Sequence, residues 1–286
     1  MAITCEYRYE KPKTLQQALE LLAQYKAKAK ILAGGTDLVV HLKEDMVAPD
    51  LVLDLKGIEQ LQKLEIKQDN IFIGAGVTFT ELIESSEIKT KLPILWNSSE
   101  TVASVGVRNR ATLTGNICSA VPSLDAGPAL LVYDAHVLVQ NQQGKRTISI
   151  HDWFTGPKRT SLQADELVLG VKVPLTKHLG TYEKLGRYRG EDLAQAGIAL
   201  YITDDWQYRF AHCAVGPVAA RMPQLENFMR GKKLQPQLWE AAAELIPSEI
   251  SPISDIRSSA EYRVHMMKIM FQRGLEKMYL TLQGGE

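Results

Sequence analysis

The segment Ala33-Gly34-Gly35-Thr36-Asp37 lies between a short apolar run and a helix-forming stretch. Two successive glycines let the backbone turn with positive φ and bring its N–H groups close to an anion. A helix opening directly afterwards adds the positive end of its dipole, and the Thr36 hydroxyl can donate to a phosphate oxygen. Alone, the segment reads equally as a tight turn whose glycines serve geometry only. A second segment, Arg108-Asn109-Arg110-Ala111-Thr112-Leu113-Thr114-Gly115-Asn116, carries two arginines among small hydrogen-bonding residues and runs on through Ile117 to Asp125. Its amides need partners, which phosphates and a ribose could supply. By itself it reads as a surface loop with solvated arginines. A third segment, from Tyr182 to Ala194, interleaves basic groups and carboxylates around Gly186 and Gly190, ahead of an apolar strand. Such a run is ordinarily a solvated loop of exposed ion pairs.

Other chemistries are disfavoured by what is missing. No Gly-x-Gly-x-x-Gly occurs; Gly74-Ala75-Gly76 comes nearest, but Phe79 takes the third glycine's place and a hairpin precedes it. Nor is there a Gly-x-x-x-x-Gly-Lys or a Gly-x-Ser-x-Gly. The cysteines are Cys5, Cys118 and Cys213, odd in number and far apart, and the six histidines never fall three to five residues apart. That spacing argues against a protein-only zinc or iron–sulfur centre, so no metal or catalytic residue is assigned here. Redox chemistry would need an organic cofactor or a partner's metals.

The 33 basic residues balance the 33 acidic ones, which speaks against a nucleic-acid surface or a polybasic membrane anchor. The longest uncharged run, Ala111 to Leu124, is too short to span a bilayer. Charges in MAITCEYRYEKPK occupy the place of a signal peptide's apolar stretch, and a cytoplasmic chain is expected. At 286 residues, with 45% hydrophobic and 23% charged, two globular domains are expected.

The elements that must position these segments follow from periodicity. Thr14 to Gln17 reads as a capping box opening a helix with Leu15, Ala18, Leu19 and Leu22 on one face. Ala29 to Leu32 and Leu51 to Leu55 read as strands, with a helix starting near Asp37, a small α/β unit. Leu64 to Ile66 and Ile71 to Ile73 flank a hairpin turn. Thr78 to Glu81 is a second capping box; a helix is predicted over Pro93 to Ser104, a loop to Asn116, and a helix over Leu124 to Tyr133. His136 to Gln140 and Arg146 to Ile150 form a hairpin, and Leu167 to Val173 is a strand ended by Pro174. Beyond it, Tyr182 to Leu185, Ala194 to Ile202 and Tyr208 to Val215 suggest an antiparallel meander. Helices at Leu225 to Arg230, Pro236 to Leu245 and Ser258 to Leu280 complete a separate α+β domain.

In this order and spacing, Ile31 to Leu38, the Arg-Asn-x-Ala-Thr loop, Asn116-Ile117 with Pro122 and Asp125, and Tyr182 to Arg187 resemble the FAD-binding subunit of the molybdenum hydroxylases. The family includes flavin subunits of xanthine, carbon monoxide and nicotinate dehydrogenases, and the resemblance runs from Tyr7 to the final helix. It implies an α+β chain: a PCMH-type FAD-binding fold of two α/β subdomains (1–57 and 58–174), then a flavoprotein C-terminal domain (175–286) with an antiparallel sheet and helices. It implies that Leu32, Ala33, Gly34, Gly35, Thr36 and Asp37 cradle the pyrophosphate. Thr112, Thr114, Gly115, Asn116 and Ile117 would form the second phosphate- and ribose-binding loop. Asp125 would accept from the sugar or adenine side of FAD, and Lys184 would sit at the flavin's pyrimidine edge. Thr114 replaces the first of two glycines usual in the family, and the stretch between Gly106 and Arg108 is shorter than usual. The implied partners are a large molybdenum-cofactor subunit and a small [2Fe–2S] subunit, with NAD as a possible acceptor and neither nucleic acid nor membrane insertion. The alternatives are a stand-alone PCMH-type flavin oxidoreductase and a scaffold subunit that has lost FAD.

Overall fold

The computed structural model describes residues 3–188 and 191–284. It opens with β1 (Arg8–Glu10), α1 (Leu15–Tyr25), β2 (Ala29–Leu32), α2 (Leu38–Lys43) and β3 (Leu51–Asp54), whose strands form a parallel sheet in the order β1-β3-β2. The helical stripe behaves as its period requires: Ala18, Leu19 and Leu22 are buried in one cluster with Leu51 and Leu53. The first capping box forms only in part. Gln17 N–H donates to the Thr14 hydroxyl at 3.3 Å, but the Gln17 side chain accepts from Lys13 N–H, one residue upstream of the expected partner. The sequence reading missed β1, since three residues are too few for alternation to register.

The next unit holds β4 (Leu64–Ile66), β5 (Asn70–Gly74), α3 (Phe79–Glu84), α4 (Ser86–Lys91), α5 (Pro93–Glu100), α6 (Val105–Arg108), α7 (Leu113–Ser119) and α8 (Ala126–Val132). It continues through β6 (His136–Gln140), β7 (Lys145–Ser149), the small hairpin β8 (Phe154–Gly156) and β9 (Arg159–Thr160), and β10 (Leu167–Pro174). Its main sheet is antiparallel, in the order β4-β5-β10-β6-β7. The second capping box is complete: Glu81 N–H donates to Thr78 Oγ1, and Glu81 Oε2 accepts from Thr78 N–H at 2.7 Å. Two expectations need correction here. The helix expected to reach Ser104 stops at Glu100, and the expected loop contains α6 and α7. Ser104 and Thr112 each cap one of these short helices by accepting a backbone N–H, so the hydroxyl residues that suggested a loop are helix starts.

The last unit is the antiparallel meander β11 (Leu179–Leu185), β12 (Ala196–Ile202), β13 (Tyr208–Cys213) and β14 (Ala220–Arg221). It is followed by α9 (Pro223–Met229), α10 (Pro236–Ala243), α11 (Ile246–Glu249) and α12 (Ala260–Gln283). Every residue of β12 is buried because both faces of the sheet are covered. Ile198, Leu200 and Ile202 join Phe271 and Leu275 of α12, while Ala199 and Tyr201 join Ile94 and Leu95 of α5. Each fully buried Leu or Ile contributes roughly 1.5–3 kcal/mol, so this sheet is firmly bound to the unit before it. Arg209 and Arg221 strengthen the join. They donate to the Val132 and Leu131 carbonyls at the end of α8 and pair with Asp134 at 2.7 and 3.1 Å.

Candidate cofactor site

Strand β2 delivers Leu32 to Thr36 half-buried, with Asp37 exposed at the start of α2. Gly35 has φ +82°, the left-handed region that a side chain would strain. Asp37 makes no side-chain cap bond to α2; its carboxylate accepts from the Ser119 hydroxyl. The Ala33 carbonyl accepts from Lys56 Nζ at 3.3 Å, and Lys56 pairs with Asp54 at 2.8 Å. Burial works against the Asp54 carboxylate, yet bonds from Lys56 and Tyr9 outweigh it and hold its pKa below the usual range.

The second segment packs directly on the first. A β-carbon on Gly34 would stand 2.0 Å from the Arg110 carbonyl oxygen and 2.9 Å from Ala111 Cα, so the two backbones are in contact only because position 34 has no side chain. The Arg110-Ala111 backbone is held in turn by Phe79 N–H, which donates to the Ala111 carbonyl at 3.0 Å. Within α7, Gly115 N–H donates to the Thr112 hydroxyl at 2.9 Å. Thr114 is 5% exposed and its hydroxyl is buried without a partner; the Asn116 amide oxygen is buried and unpartnered as well. A buried polar atom left unpaired costs about 1–3 kcal/mol, and two within three residues mark a local deficit. A phosphate oxygen could accept from the Thr114 hydroxyl, and a ribose hydroxyl could donate to the Asn116 amide oxygen. The residues present therefore fit the dinucleotide expected of them.

Two residues in this segment do other work than the sequence suggested. Arg108 is half-buried and folded back, with Nη1 donating to the Val102 and Ala103 carbonyls at 2.8 and 2.7 Å, so one arm of its guanidinium is taken up by the backbone. Ile117 is fully buried in the main apolar cluster, and its carbonyl accepts from Trp153 Nε1 at 2.9 Å. It offers no surface to a ligand and serves to seat α7.

Lys184 and Asp125, expected at separate parts of the cofactor, form a buried ion pair at 2.9 Å. Both side chains are less than a tenth exposed. Lys184 Nζ also donates to the Thr101 carbonyl at 2.8 Å, and Tyr182 donates its hydroxyl to the other Asp125 oxygen at 2.9 Å. Burial raises the Asp125 pKa, with Lys184 and Tyr182 opposing that shift. Burial also pushes the Tyr182 phenol well above its usual value. Groups in mutual contact cannot serve opposite ends of an extended dinucleotide, so the two placements implied by the resemblance do not hold together.

The structure thus brings Gly34 against Arg110 and Ala111 and Asp37 against Ser119, while the Lys184–Asp125 pair is bonded to Thr101 and Tyr182. The sequence reading missed Lys56, Ser119 and Thr101 as supporting groups. It named Tyr182 without a role, although Tyr182 and Lys184, two apart on one strand, had to share a face. Arg189 and Gly190 of the third segment lie outside the described residues. A depression of about 430 Å³ beside Phe72, Leu138, Lys145 and Lys172 lies on the five-stranded sheet and shares no residue with these segments. Among the described residues, no three His, Cys, Asp or Glu side chains gather as a metal-holding set, and no helix is long and apolar enough to cross a membrane.

Known proteins match this arrangement along nearly its whole length. Residues 5–176 match the FAD binding domain in molybdopterin dehydrogenase, and residues 181–278 match the CO dehydrogenase flavoprotein C-terminal domain. The xanthine dehydrogenase FAD-binding subunit of Escherichia coli O157:H7 is 30% identical over 96% of this chain and 97% of its own length. The carbon monoxide dehydrogenase medium chain of Hydrogenophaga pseudoflava is 30% identical over 94% of this chain and 96% of its own. A solved structure of carbon monoxide dehydrogenase from the same organism superposes with a TM-score of 0.92 at 29% identity, covering 98% of this chain and 99% of that one. The glycine cradle, the unpartnered atoms of α7 and these end-to-end matches agree: the chain belongs to the family of FAD-binding medium subunits of the molybdenum hydroxylases, and is an oxidoreductase subunit with FAD as its cofactor.

Proposed function

We propose that this chain is the electron-transfer subunit of a larger molybdenum enzyme. In this reading a large partner oxidises substrate at its molybdenum cofactor, and electrons pass through the [2Fe–2S] clusters of a small partner to this subunit and on to NAD⁺ or another acceptor. FAD, when bound, supplies the redox chemistry. The protein's part is to bind, orient and tune it. Leu32 to Asp37 take the pyrophosphate with backbone N–H groups, and Thr112, Thr114, Gly115 and Asn116 supply the second phosphate and ribose contacts. Lys184 would sit at the flavin's pyrimidine edge, where a fixed cation would favour the negative charge that reduction adds. Asp125 acts through Lys184 as its counter-ion. Residues 1–174 hold the cofactor, in parts 1–57 and 58–174, and residues 175–286 carry Lys184 to it on β11.

The observation carrying this reading is the contact of Gly34 with the Arg110-Ala111 backbone, which joins two anion-suited segments beside unpartnered atoms of α7. The medium-chain and medium-subunit names of the relatives support the larger assembly. Purification of the tagged chain from its native host tests it. Molybdenum- and iron-containing partners should accompany a flavin-bearing chain, and NADH should bleach the flavin if NAD is the acceptor. A flavin-bearing chain recovered alone, reduced directly by a small substrate, would instead identify a stand-alone flavin oxidoreductase.

A further inference from the structure

A line of polar side chains crosses the C-terminal sheet behind Lys184. Lys184 on β11 pairs in register with Gly197 on β12, and Gly197 with Cys213 on β13. Tyr182, two residues before Lys184, lies on the same face. Its ring reaches across Gly197 to place the hydroxyl 3.4 Å from Cys213 Sγ and 2.9 Å from Asp125 Oδ1. A β-carbon at Gly197 would stand 2.4 Å from the Tyr182 oxygen and 2.6 Å from Cys213 Sγ, so position 197 is kept bare where the tyrosine crosses.

Each group has one way to be satisfied. The Asp125 carboxylate accepts from Tyr182 on one oxygen and from Lys184 on the other. The single Tyr182 proton is thereby used, which leaves the Cys213 thiol to donate to the tyrosine oxygen. Burial pushes the thiol up to about 12, so it keeps its proton. The chain of donation runs Cys213 to Tyr182 to Asp125, with Lys184 donating from the opposite side. Two of the three Lys184 protons go to Asp125 and to the Thr101 carbonyl, and one is left to point elsewhere.

We propose that Tyr182 is a positioning residue that tunes the flavin's redox potential: by holding Asp125 Oδ1 it draws charge from the carboxylate and leaves the remaining Lys184 N–H directed at the cofactor. This rests on Lys184 facing the flavin. Without the tyrosine hydroxyl, the carboxylate keeps its charge and grips Lys184 harder. The flavin then meets a weaker donor and a less compensated anion, so its midpoint potential falls.

The test is a redox titration of the FAD-loaded full chain as wild type, Tyr182→Phe and Lys184→Met, with thermal unfolding of each. Both variants should have lower potentials, Tyr182→Phe by the smaller amount. A Tyr182→Phe protein that is less stable but has an unchanged or raised potential, beside a lowered Lys184→Met, overturns the role of Tyr182 and leaves Lys184 in place. If Lys184→Met does not move the potential, the placement of Lys184 fails and this proposal with it. Should Tyr182→Phe not fold, difluorotyrosine at position 182 decides. It is a stronger donor of nearly the same shape and should raise the potential, whereas an unchanged or lowered value overturns the proposal.

Discussion

Gly34 and Arg110 are 76 positions apart in the chain, yet a β-carbon on the first would lie 2.0 Å from the carbonyl oxygen of the second. This contact joins the turn after β2 to the backbone that leads into α7. It fixes the distance between the two segments that the proposed function assigns to the cofactor. The glycine here is required by the backbone packed against it, whereas Gly35 beside it is required by its own φ of +82°.

Gly34→Ala should therefore push the two segments apart. Overpacking of this kind costs about 1–3 kcal/mol and acts on the cradle directly, so FAD affinity should drop on the order of tenfold to a hundredfold. Gly106, whose added β-carbon would meet nothing within 4 Å, is the matched control and should accept alanine with little change. Flavin absorbance during titration of the apoprotein measures both. Equal affinities in the two variants would show that the contact does not shape the site.

Thr114→Val removes a hydroxyl while keeping the shape of the side chain. No protein group bonds that buried hydroxyl, so without FAD its loss should stabilise the fold by about 1 kcal/mol. FAD binding should weaken by a similar amount, since a phosphate contact disappears. Thermal unfolding with and without FAD separates the two effects. A variant stabilised equally in both states would take Thr114 out of the cofactor contacts.

The fold was largely legible because its helices and strands are amphipathic or wholly apolar. The stripe at Ala18, Leu19 and Leu22 and the Thr78–Glu81 box could be read directly and appear as expected. What escaped was fixed by contacts distant in sequence. The expected loop before Asn116 holds two short helices, whose caps Ser104 and Thr112 are residue types that serve loops equally well. Arg108 read as a solvated loop arginine, whereas Val102 and Ala103 present their carbonyls to its Nη1. Lys184 was singled out only by the family resemblance, and its bond to Asp125 spans 59 positions, of which local spacing carries no trace.

His212 gives the fold a pH dependence. It is 3% exposed with Nδ1 unpartnered, and burial lowers its pKa from 6.5 to about 4. The unfolded chain takes up the proton near 6.5, while the folded chain resists until about 4. The stabilising contribution is thus complete above pH 6.5 and is lost as pH falls to about 4, by about 3–4 kcal/mol at roughly 1.4 kcal/mol per unit. Urea unfolding across this window should show a shallower loss for His212→Gln than for wild type. Parallel curves would mean that His212 is protonated as easily folded as unfolded.

The two members of the buried pair should move the flavin potential in opposite directions. Lys184→Met removes the cation, but it also removes the group that keeps Asp125 ionised against burial. Asp125 then takes a proton, so the net charge of the pair stays near zero and the change reduces to the loss of a directed N–H. A hydrogen bond contributes about 0.5–1.5 kcal/mol, and for a two-electron couple about 1.4 kcal/mol is roughly 30 mV, which sets a fall of about 10–30 mV. Asp125→Asn leaves a lysine whose charge no carboxylate balances. If its cation is worth about 1–3 kcal/mol to the added electrons, the potential rises by roughly 20–65 mV. Opposite signs in side-by-side titrations require that flavin, lysine and aspartate form one electrostatic unit. A fall in both variants would mean that Asp125 supports the site only through packing, and no change in either would remove the pair from the flavin.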